Sequence, residues 1–522
     1  MGKYQRHDVH KTMYDFILSS DRVQGGDAVI YNNKRISTND FFQMIDKCAG
    51  GLKAMGVNAG DCVAICLPNI PQAKIAFYAC NRLGAVVSMV HPKTSVGEFE
   101  KQLKITKPKV ALLTEINYFK YKPMLAGVKK IFCSLITAKG FIGLKKPVAF
   151  EPYHSDGSDP AVYMHSGGTT GASKTAVLSH RVFNALVDNL LFSLELSFKK
   201  SDAMLAVLPM FHGFGLAVGI HLPMIAGIPS ALAPMFNAKK IVKYIGKQRI
   251  NYVSVIPRML AKMLDEPNFR GETVKLIEHL YVGGDNLSTK LLFEVNKRLK
   301  EEGSPCEVQQ GYGLTEMGSV AALNYVSGQV RAESVGLPLM KLEARIVDEN
   351  LIEVPRGEIG ELIFAGDQLM DGYLGDEETS AKSFVEIDGK RWLKTGDYMS
   401  MDEDGYLYFK DRKKRLIKIS GMNAFPLEIE NCAKQLPEVE NCVAAEKKVE
   451  GKPYICLYLL LKEGINLDEK LLEKISEHLK RNLSHWSVPK FFVQIDEIPY
   501  TNFGKVDFIA IAKREDYEFR QG

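Results

Sequence analysis

The sequence predicts an α/β protein: a large N-terminal domain of helix-covered sheets with an appended β unit, then a small α+β C-terminal domain. Three observations predict it. The 522 residues are about three times an average domain and too many for a single hydrophobic core. From residue 40 onward, apolar segments of helical period alternate with short apolar runs of strand length, the pattern of parallel sheets covered by helices. Past residue 340 the rhythm changes to short strands and turns, and a charge run near residue 410 sets off a last segment of domain size.

The elements follow in order. Residues 40–55 place apolar side chains at helical spacing and stop at Gly56, and 62–67 is a short apolar run ended by Pro68, so a helix and then a buried strand are expected. The pair repeats as helix 73–83 closed by Gly84, strand 85–89, helix 96–106 and strand 110–113. Further on, 241–247 and 258–264 read as helices, 252–256 and 280–282 as strands. In such sheets ligands collect at the loops beyond the strand ends. Strands 343–347, 360–364 and 405–409 make up the appended β unit. Lys410, Asp411, Arg412, Lys413, Lys414 and Arg415 form a charge run expected to be solvated, and the junction at Asp411 gives domains 1–410 and 411–522. Beyond it, 426–435 and 467–483 read as helices, 454–461 and 491–495 as strands.

Composition excludes several classes of protein. With 46% hydrophobic and 25% charged residues, 43 Gly and 22 Pro, the chain is not collagen-like, disordered or a disulfide scaffold. Lys plus Arg number 67 against 62 Asp plus Glu; a difference of +5 read as spread over the whole length, with the signs interspersed, announces no nucleic-acid partner. The nine cysteines show neither C-x-x-C pairs nor a His at zinc-finger spacing, which fits reduced thiols in a cytoplasm. Residues 1–14 carry basic and polar side chains with no apolar run behind them, so neither a signal nor a transit peptide is expected. Residues 203–238 contain no Asp, Glu, Lys or Arg, but Pro209, Pro223, Pro229 and Pro234 would break any spanning helix of about 20 residues. No transmembrane segment is expected there; the stretch reads as core beside a pocket.

The strongest chemical signal is Ser166-Gly167-Gly168-Thr169-Thr170-Gly171-Ala172-Ser173-Lys174, directly after the apolar run 161–164. Its glycines allow close backbone approach, its hydroxyls and amides can donate to phosphate oxygens, and Lys174 supplies charge, so it reads as a polyphosphate cradle. The NTPase P-loop needs Gly immediately before Lys, where Ser173 stands, and that match fails. A hydrolase nucleophile elbow fails as well, because Met164 stands where the first Gly before Ser166 should be. Gly213-Phe214-Gly215 and Gly311-Tyr312-Gly313 lack the third Gly of a dinucleotide fingerprint, having Val218 and Glu316 instead. The second signal is Gln309-Gln310-Gly311-Tyr312-Gly313-Leu314-Thr315-Glu316. Here a ring can stack on a purine, a hydroxyl can reach phosphate, and a carboxylate can hold Mg²⁺. A structural turn with a surface Glu would also satisfy this stretch.

In order, the loop 166–174, Pro209-Met210-Phe211-His212-Gly213, Gly283-Gly284-Asp285, Tyr312-Gly313-Leu314-Thr315-Glu316, Lys394-Thr395-Gly396-Asp397, Asp411-Arg412-Lys413-Lys414 and Thr501-Asn502-Phe503-Gly504-Lys505 resemble the motifs of the adenylate-forming superfamily. That superfamily includes acyl-CoA synthetases, stand-alone adenylation domains and firefly luciferase, and the resemblance spans nearly the whole chain. It implies that a carboxylate attacks the α-phosphate of ATP, with Mg²⁺ present, and that a thiol, usually coenzyme A, captures the acyl-adenylate. By the same match Lys505 bridges carboxylate and α-phosphate, Glu316 is the magnesium ligand and Thr315 contacts phosphate. Tyr312 lies along the adenine, and Gly283, Gly284 and Asp285 form the opposing wall. Asp397 and Arg412 take the ribose hydroxyls, and Gly311 and Gly313 flank the nucleotide and acyl pocket. His212 stands at the mouth of that pocket. Lys414 is the hinge on which a mobile C-terminal domain pivots, and Lys418 serves the thioester step together with Gly421 and Asn423.

Stand-alone amino-acid-activating members place an Asp in the region of 203–238, which here has no acid. The resemblance therefore implies a plain carboxylic acid, fatty or aryl, as substrate. The glycine pair 167–168 looks like the bacterial long-chain fatty acyl-CoA synthetase version of the loop. A carrier-protein phosphopantetheine in place of CoA, and a catalytically silent acyl- or nucleotide-binding module, remain alternatives. The chain departs from the family pattern at Ser173 (often Pro), Thr175 (often Gly) and Phe508 (often Arg); none of these removes a catalytic group.

Overall fold

Side-chain caps and glycine stops delimit the first predicted helices. Thr38–Ala54 begins where the Ser37 hydroxyl accepts from the Asp40 amide and ends at Met55, ahead of Gly56 at φ +87°, the usual capped start and glycine stop. Val96–Thr106 starts on Ser95, which accepts from the Glu98 amide, and stops where Lys107 turns left-handed at φ +45°. The computed structural model describes residues 7–23, 25–134, 140–166, 174–194, 198–324, 330–419, 421–500, 506–512 and 520–521. The chain forms two compact units: Met1–Ser166 with Lys174–Ala344 and Phe364–Leu393, and Arg345–Ile363 with Lys394 onward.

The first unit holds two large sheets. One has eight strands in the order Gly372–Tyr373, Lys174–Ser179, Pro160–Ser166, Val86–Met89, Cys62–Cys66, Val110–Leu113, Lys129–Cys133 and Phe141–Ile142. It is parallel from Pro160–Ser166 to Lys129–Cys133 and antiparallel at both edges. The other has nine strands, ordered Leu337–Pro338, Val320–Leu323, Val308–Gly313, His279–Val282, Tyr252–Val255, Met204–Ala206, Ser230–Leu232, Asp27–Tyr31 and Lys34–Ser37. Its six middle strands, from Val308–Gly313 to Asp27–Tyr31, run parallel. Ile241, Val242 and Ile245 of helix Ala238–Gln248 and Leu260 and Met263 of Pro257–Leu264 pack on this sheet with Val253, Leu280 and Val308. This is the alternating helix and strand arrangement that the sequence predicts.

The charge-free stretch contributes the strands Met204–Ala206 and Ser230–Leu232 and, between them, the π-helical turn Gly215–His221 running into Leu222–Ala226. Pro223 stands in the first turn of that last helix instead of breaking it, its fixed φ suiting a helical start. The stretch is almost wholly buried, as expected, and among the described residues no helix is long and apolar enough to cross a membrane.

In the second unit, strand Lys390–Met401, which enters from the first, pairs through Asp397–Met401 with Leu407–Arg412. The hairpin Ile417–Ile419 with Met422–Ala424 follows. A sheet then forms from Val439–Val449, Lys452–Leu461, Phe491–Gln494 and Arg520–Gln521, with helices Pro426–Ala433 and Glu469–Asn482 packed through Ile429, Leu471, Ile475 and Leu479. The charge run corrects its sequence reading. Arg412, Lys413 and Lys414 are exposed, but Asp411 is 1% exposed and the Arg415 side chain only 12%. The two are buried because they satisfy each other: Asp411 accepts from the Arg412 and Leu427 amides, and Arg415 bridges Asp411 and the buried Glu430.

Candidate active site

Three glycine-bearing segments meet at the carboxyl ends of parallel strands in the first unit, where the alternation of elements places ligands. A Cβ on Gly213 would stand 1.8 Å from the Gly318 carbonyl oxygen, and one on Gly313 1.9 Å from that of Ser319. Gly283 closes the strand His279–Val282 with its would-be Cβ 3.1 Å from the Gly311 oxygen and 3.6 Å from the Phe214 ring. The motifs at 209–213, 283–285 and 311–316, up to 107 positions apart in the sequence, therefore share one surface in backbone contact. At Gly213 and Gly313 only hydrogen in place of Cβ permits that approach. Gly213→Ala should cost about 1–3 kcal/mol of stability through forced backbone displacement, checked by denaturant unfolding, and should lower turnover, whereas Gly303→Ala, which meets no atom within 4 Å, reports the cost of a positive φ alone.

Glu316 sits in the turn Thr315–Met317, half-buried, and its Oε1 accepts from the Tyr373 hydroxyl at 2.7 Å. Burial, and then the Glu316 charge, push the Tyr373 phenol well above its ordinary range, so it remains a donor at every working pH. The Lys174 ammonium stands 4.6 Å from the centre of the same ring. One tyrosine thus sets a predicted phosphate-binding lysine and a predicted metal-binding carboxylate around a common point. The turn is fixed from behind by Gln368, which donates to the Met317 and Val320 carbonyls, and by the Met370 amide on the Glu316 carbonyl at 2.8 Å.

Ser166 ends the strand Pro160–Ser166 opposite Lys174, and its hydroxyl donates to the Lys174 carbonyl at 3.3 Å. Gly167, Gly168, Thr169, Thr170 and Gly171, with Lys505, lie outside the described residues. The departure at Thr175 has a structural use: buried Thr175 bonds His165 at 2.9 Å, and His165 bonds Ser88 at 3.0 Å. Burial lowers the His165 pKa to about 4, so this bridge is neutral.

His212 is half-buried and its ring lies 5.2 Å from that of Phe211, which in turn stands 4.3 Å from His91. The 209–213 segment is pinned by buried Asn69, which donates to the Ala206 and Leu208 carbonyls and accepts from the Met210 amide. Tyr312 is half-buried, Gly284 and Asp285 are exposed, and the Asp285 carboxylate caps the Asn286 amide at 2.8 Å.

In the second unit, Asp397 and Arg412 are direct partners across antiparallel strands, with Arg412 Nε 3.4 Å from Asp397 Oδ1. Asp397 is 1% exposed and follows Gly396 at φ +70°. Lys414 is exposed in the turn Lys413–Arg415, and Lys418, also exposed, lies 3.6 Å from Glu349. Sequence reading missed Tyr373, Asn69 and Gln368, each of which acts through contacts distant in the chain. A Gly-Tyr pair followed by a capped helix was the only local hint of the first.

Residues 19–374 match the model of the AMP-binding enzyme family, and 428–505 that of the AMP-binding enzyme C-terminal domain; the chain belongs to the AMP-binding enzyme family, in the adenylate-forming superfamily. It is 30% identical to 2-succinylbenzoate–CoA ligase of Bacillus licheniformis, over 92% of this chain and 95% of that protein. It is 27% identical to long-chain-fatty-acid–CoA ligase of Bacillus subtilis, over 95% and 93%. The solved structure of ATP-bound MatB from Rhodopseudomonas palustris superposes with a TM-score of 0.87 at 22% identity, covering 97% of this chain and 99% of that one, a likeness of fold.

Proposed function

We propose that this protein is an AMP-forming acid:CoA ligase that activates an apolar carboxylic acid, fatty or aryl, as its acyl-adenylate and transfers the acyl group to coenzyme A. The observation that carries the reading is the cluster in which Tyr373 holds Glu316 by a 2.7 Å hydrogen bond while the Lys174 ammonium stands 4.6 Å from the centre of its ring. A cation and a carboxylate fixed around one point suit a nucleotide triphosphate with its metal. The chemistry of the donor fits magnesium: Mg²⁺ is bound through one or two carboxylates plus substrate phosphates, and Glu316 is a half-buried carboxylate held in place by Tyr373. Glu316 would hold it, and the ion, when bound, would neutralise phosphate charge.

The chain's own residues supply the rest. Lys174, with Ser166 and the amides and hydroxyls of Gly167, Gly168, Thr169, Thr170 and Gly171, would cradle the polyphosphate, and Thr315 would contact phosphate. Tyr312 would lie on the adenine against Gly283, Gly284 and Asp285, and Asp397 with Arg412 would take the ribose hydroxyls. Lys505 would stand between the attacking carboxylate and the α-phosphate, offsetting their repulsion where water is excluded. The division at Asp411, the pivot at Lys414 and the use of Lys418 in thioester formation belong to the same proposal. So does a cytoplasmic setting, which the nine free cysteines, eight of them buried, support.

The apolar acid is supported by the charge-free wall 203–238, buried around the π-helical turn beside His212, and by relatives named for fatty and aryl acids. The same names favour coenzyme A over a carrier protein, and retention of Glu316, Lys174, Asp397 and Arg412 speaks against a silent binding module. The test is pyrophosphate release with Mg-ATP across fatty, aryl and amino acids, each with and without coenzyme A. Release with an apolar acid and acyl-CoA as product is expected. Release with amino acids alone would overturn the substrate class, release without acyl-CoA the acceptor, and silence throughout the enzyme reading.

A further inference from the structure

The charge of the chain is not spread along it. Residues 101–150 hold eleven lysines, no arginine, no aspartate and only Glu115 as an acid. Against +5 for the whole chain, this stretch carries +10 and the other 472 residues together −5. The totals concealed this, and the even distribution expected from them does not hold here. Two of the lysines are neutralised, Lys104 by Glu100 and Lys109 by Asp61, each at 2.7 Å. Lys107, Lys122, Lys145 and Lys146 are exposed.

The same stretch builds one edge of the eight-stranded sheet, and that edge exposes large apolar side chains. On helix Glu115–Tyr121, Ile116 is 75% and Phe119 76% exposed, and Ile142 on the edge strand is 56% exposed. They join into one surface: Phe119 touches Tyr118 at 5.7 Å, Tyr118 touches Phe132 at 5.0 Å, and Phe132 is the cross-strand partner of Ile142. Lys130 shares Phe132's face of its strand and Lys122 follows Phe119 by three residues; Lys145 and Lys146 come just past the edge strand, between Leu144 and Pro147, which pack on Gly51 and Gly50 of helix Thr38–Ala54. The exposed apolar side chains and the exposed lysines thus belong to one stretch at one edge of the sheet, with one acid in it to oppose them.

The geometry points to this edge as a docking surface for an anionic lipid bilayer, with Ile116, Phe119 and Ile142 entering the headgroup region and the lysines meeting lipid phosphates. Two aliphatic side chains at the centre gain from an acyl boundary and nothing from a polar polyanion. Lysines without arginine suit diffuse attraction to a charged surface, their long stems lying along apolar contacts, whereas nucleic-acid readers favour the arginine fork. The surface is distinct from the active-site residues and does not depend on the proposed reaction.

The test is flotation of the full chain with vesicles of phosphatidylcholine alone and of phosphatidylcholine mixed with phosphatidylglycerol, at low and high salt. Binding to the anionic vesicles only, weakened by salt, is expected. The triple variant Lys122→Glu, Lys145→Glu, Lys146→Glu should lower it at least about tenfold, and so should Ile116→Ser with Phe119→Ser. All five side chains are exposed, so both variants should melt at the native temperature. No binding to anionic vesicles, equal binding to neutral ones, or binding that survives the serine pair would overturn the proposal. Displacement by duplex RNA with indifference to the serine pair would reassign the surface to nucleic acid.

Discussion

Lys505→Ala is expected to slow acyl-adenylate formation by about 10²–10³-fold while supplied acyl-AMP is still converted to thioester at close to the native rate. The first half-reaction brings a carboxylate against a phosphate, two anions whose approach is opposed most strongly where water is excluded. A cation between them is stabilising only while that charge is being gathered; the thiol step attacks a neutral acyl carbon and has no such need. Single-turnover measurement of pyrophosphate release and of thioester formation from acyl-AMP separates the two. Equal loss in both halves, or none in the first, would remove Lys505 from the role. Lys414→Pro should give the mirror image, adenylation kept and thioester formation impaired, because a hinge absorbs its rotation at a few backbone positions and proline fixes one of them.

What the sequence made legible was whatever local pattern decides. Helix Val96–Thr106 begins and ends where expected because Ser95 caps it and Lys107 can take the left-handed turn. Tyr252–Val255 stops where Ile256 caps the helix opened by Pro257, and His279–Val282 stops at Gly283. The motif segments were legible as chemistry, but their convergence through Gly213 on Gly318 and Gly283 on Gly311 is a property of strand order. Tyr373 reaches Glu316 across 57 positions, and no window of sequence contains both. The burial of Asp411 failed to show for a related reason. A run of charges predicts solvent unless a partner is at hand, and Glu430, which shares Arg415 with it, lies outside the run.

Arg415→Met is expected to destabilise the second unit by about 3–5 kcal/mol at neutral pH. Arg415 is one guanidinium serving two buried carboxylates, Asp411 at 3.4 Å and Glu430 beyond it, and it lies 4.0 Å over the Phe508 ring, where the family pattern places an arginine. Burial raises the pKa of both acids, and the attraction of Arg415 partly offsets it. A carboxyl whose folded pKa lies above its unfolded value holds its proton longer in the folded state. Stability from such a group is therefore greatest below the ordinary carboxylate range and falls as pH rises through the raised value. Removing Arg415 raises both folded values further, so the variant's deficit should be small near about pH 4 and grow toward neutrality. Arg415→Met with Glu430→Gln should recover part of the loss at pH 7, since one buried charge no longer needs a partner. Urea unfolding followed at Trp486, which packs on the core of this unit, in a Trp392→Phe background reads the effect directly. The chain has only these two tryptophans. A deficit that shrinks as pH rises would show that the carboxylates are charged and solvated without Arg415, and that the triad is not what holds the Asp411 segment in place.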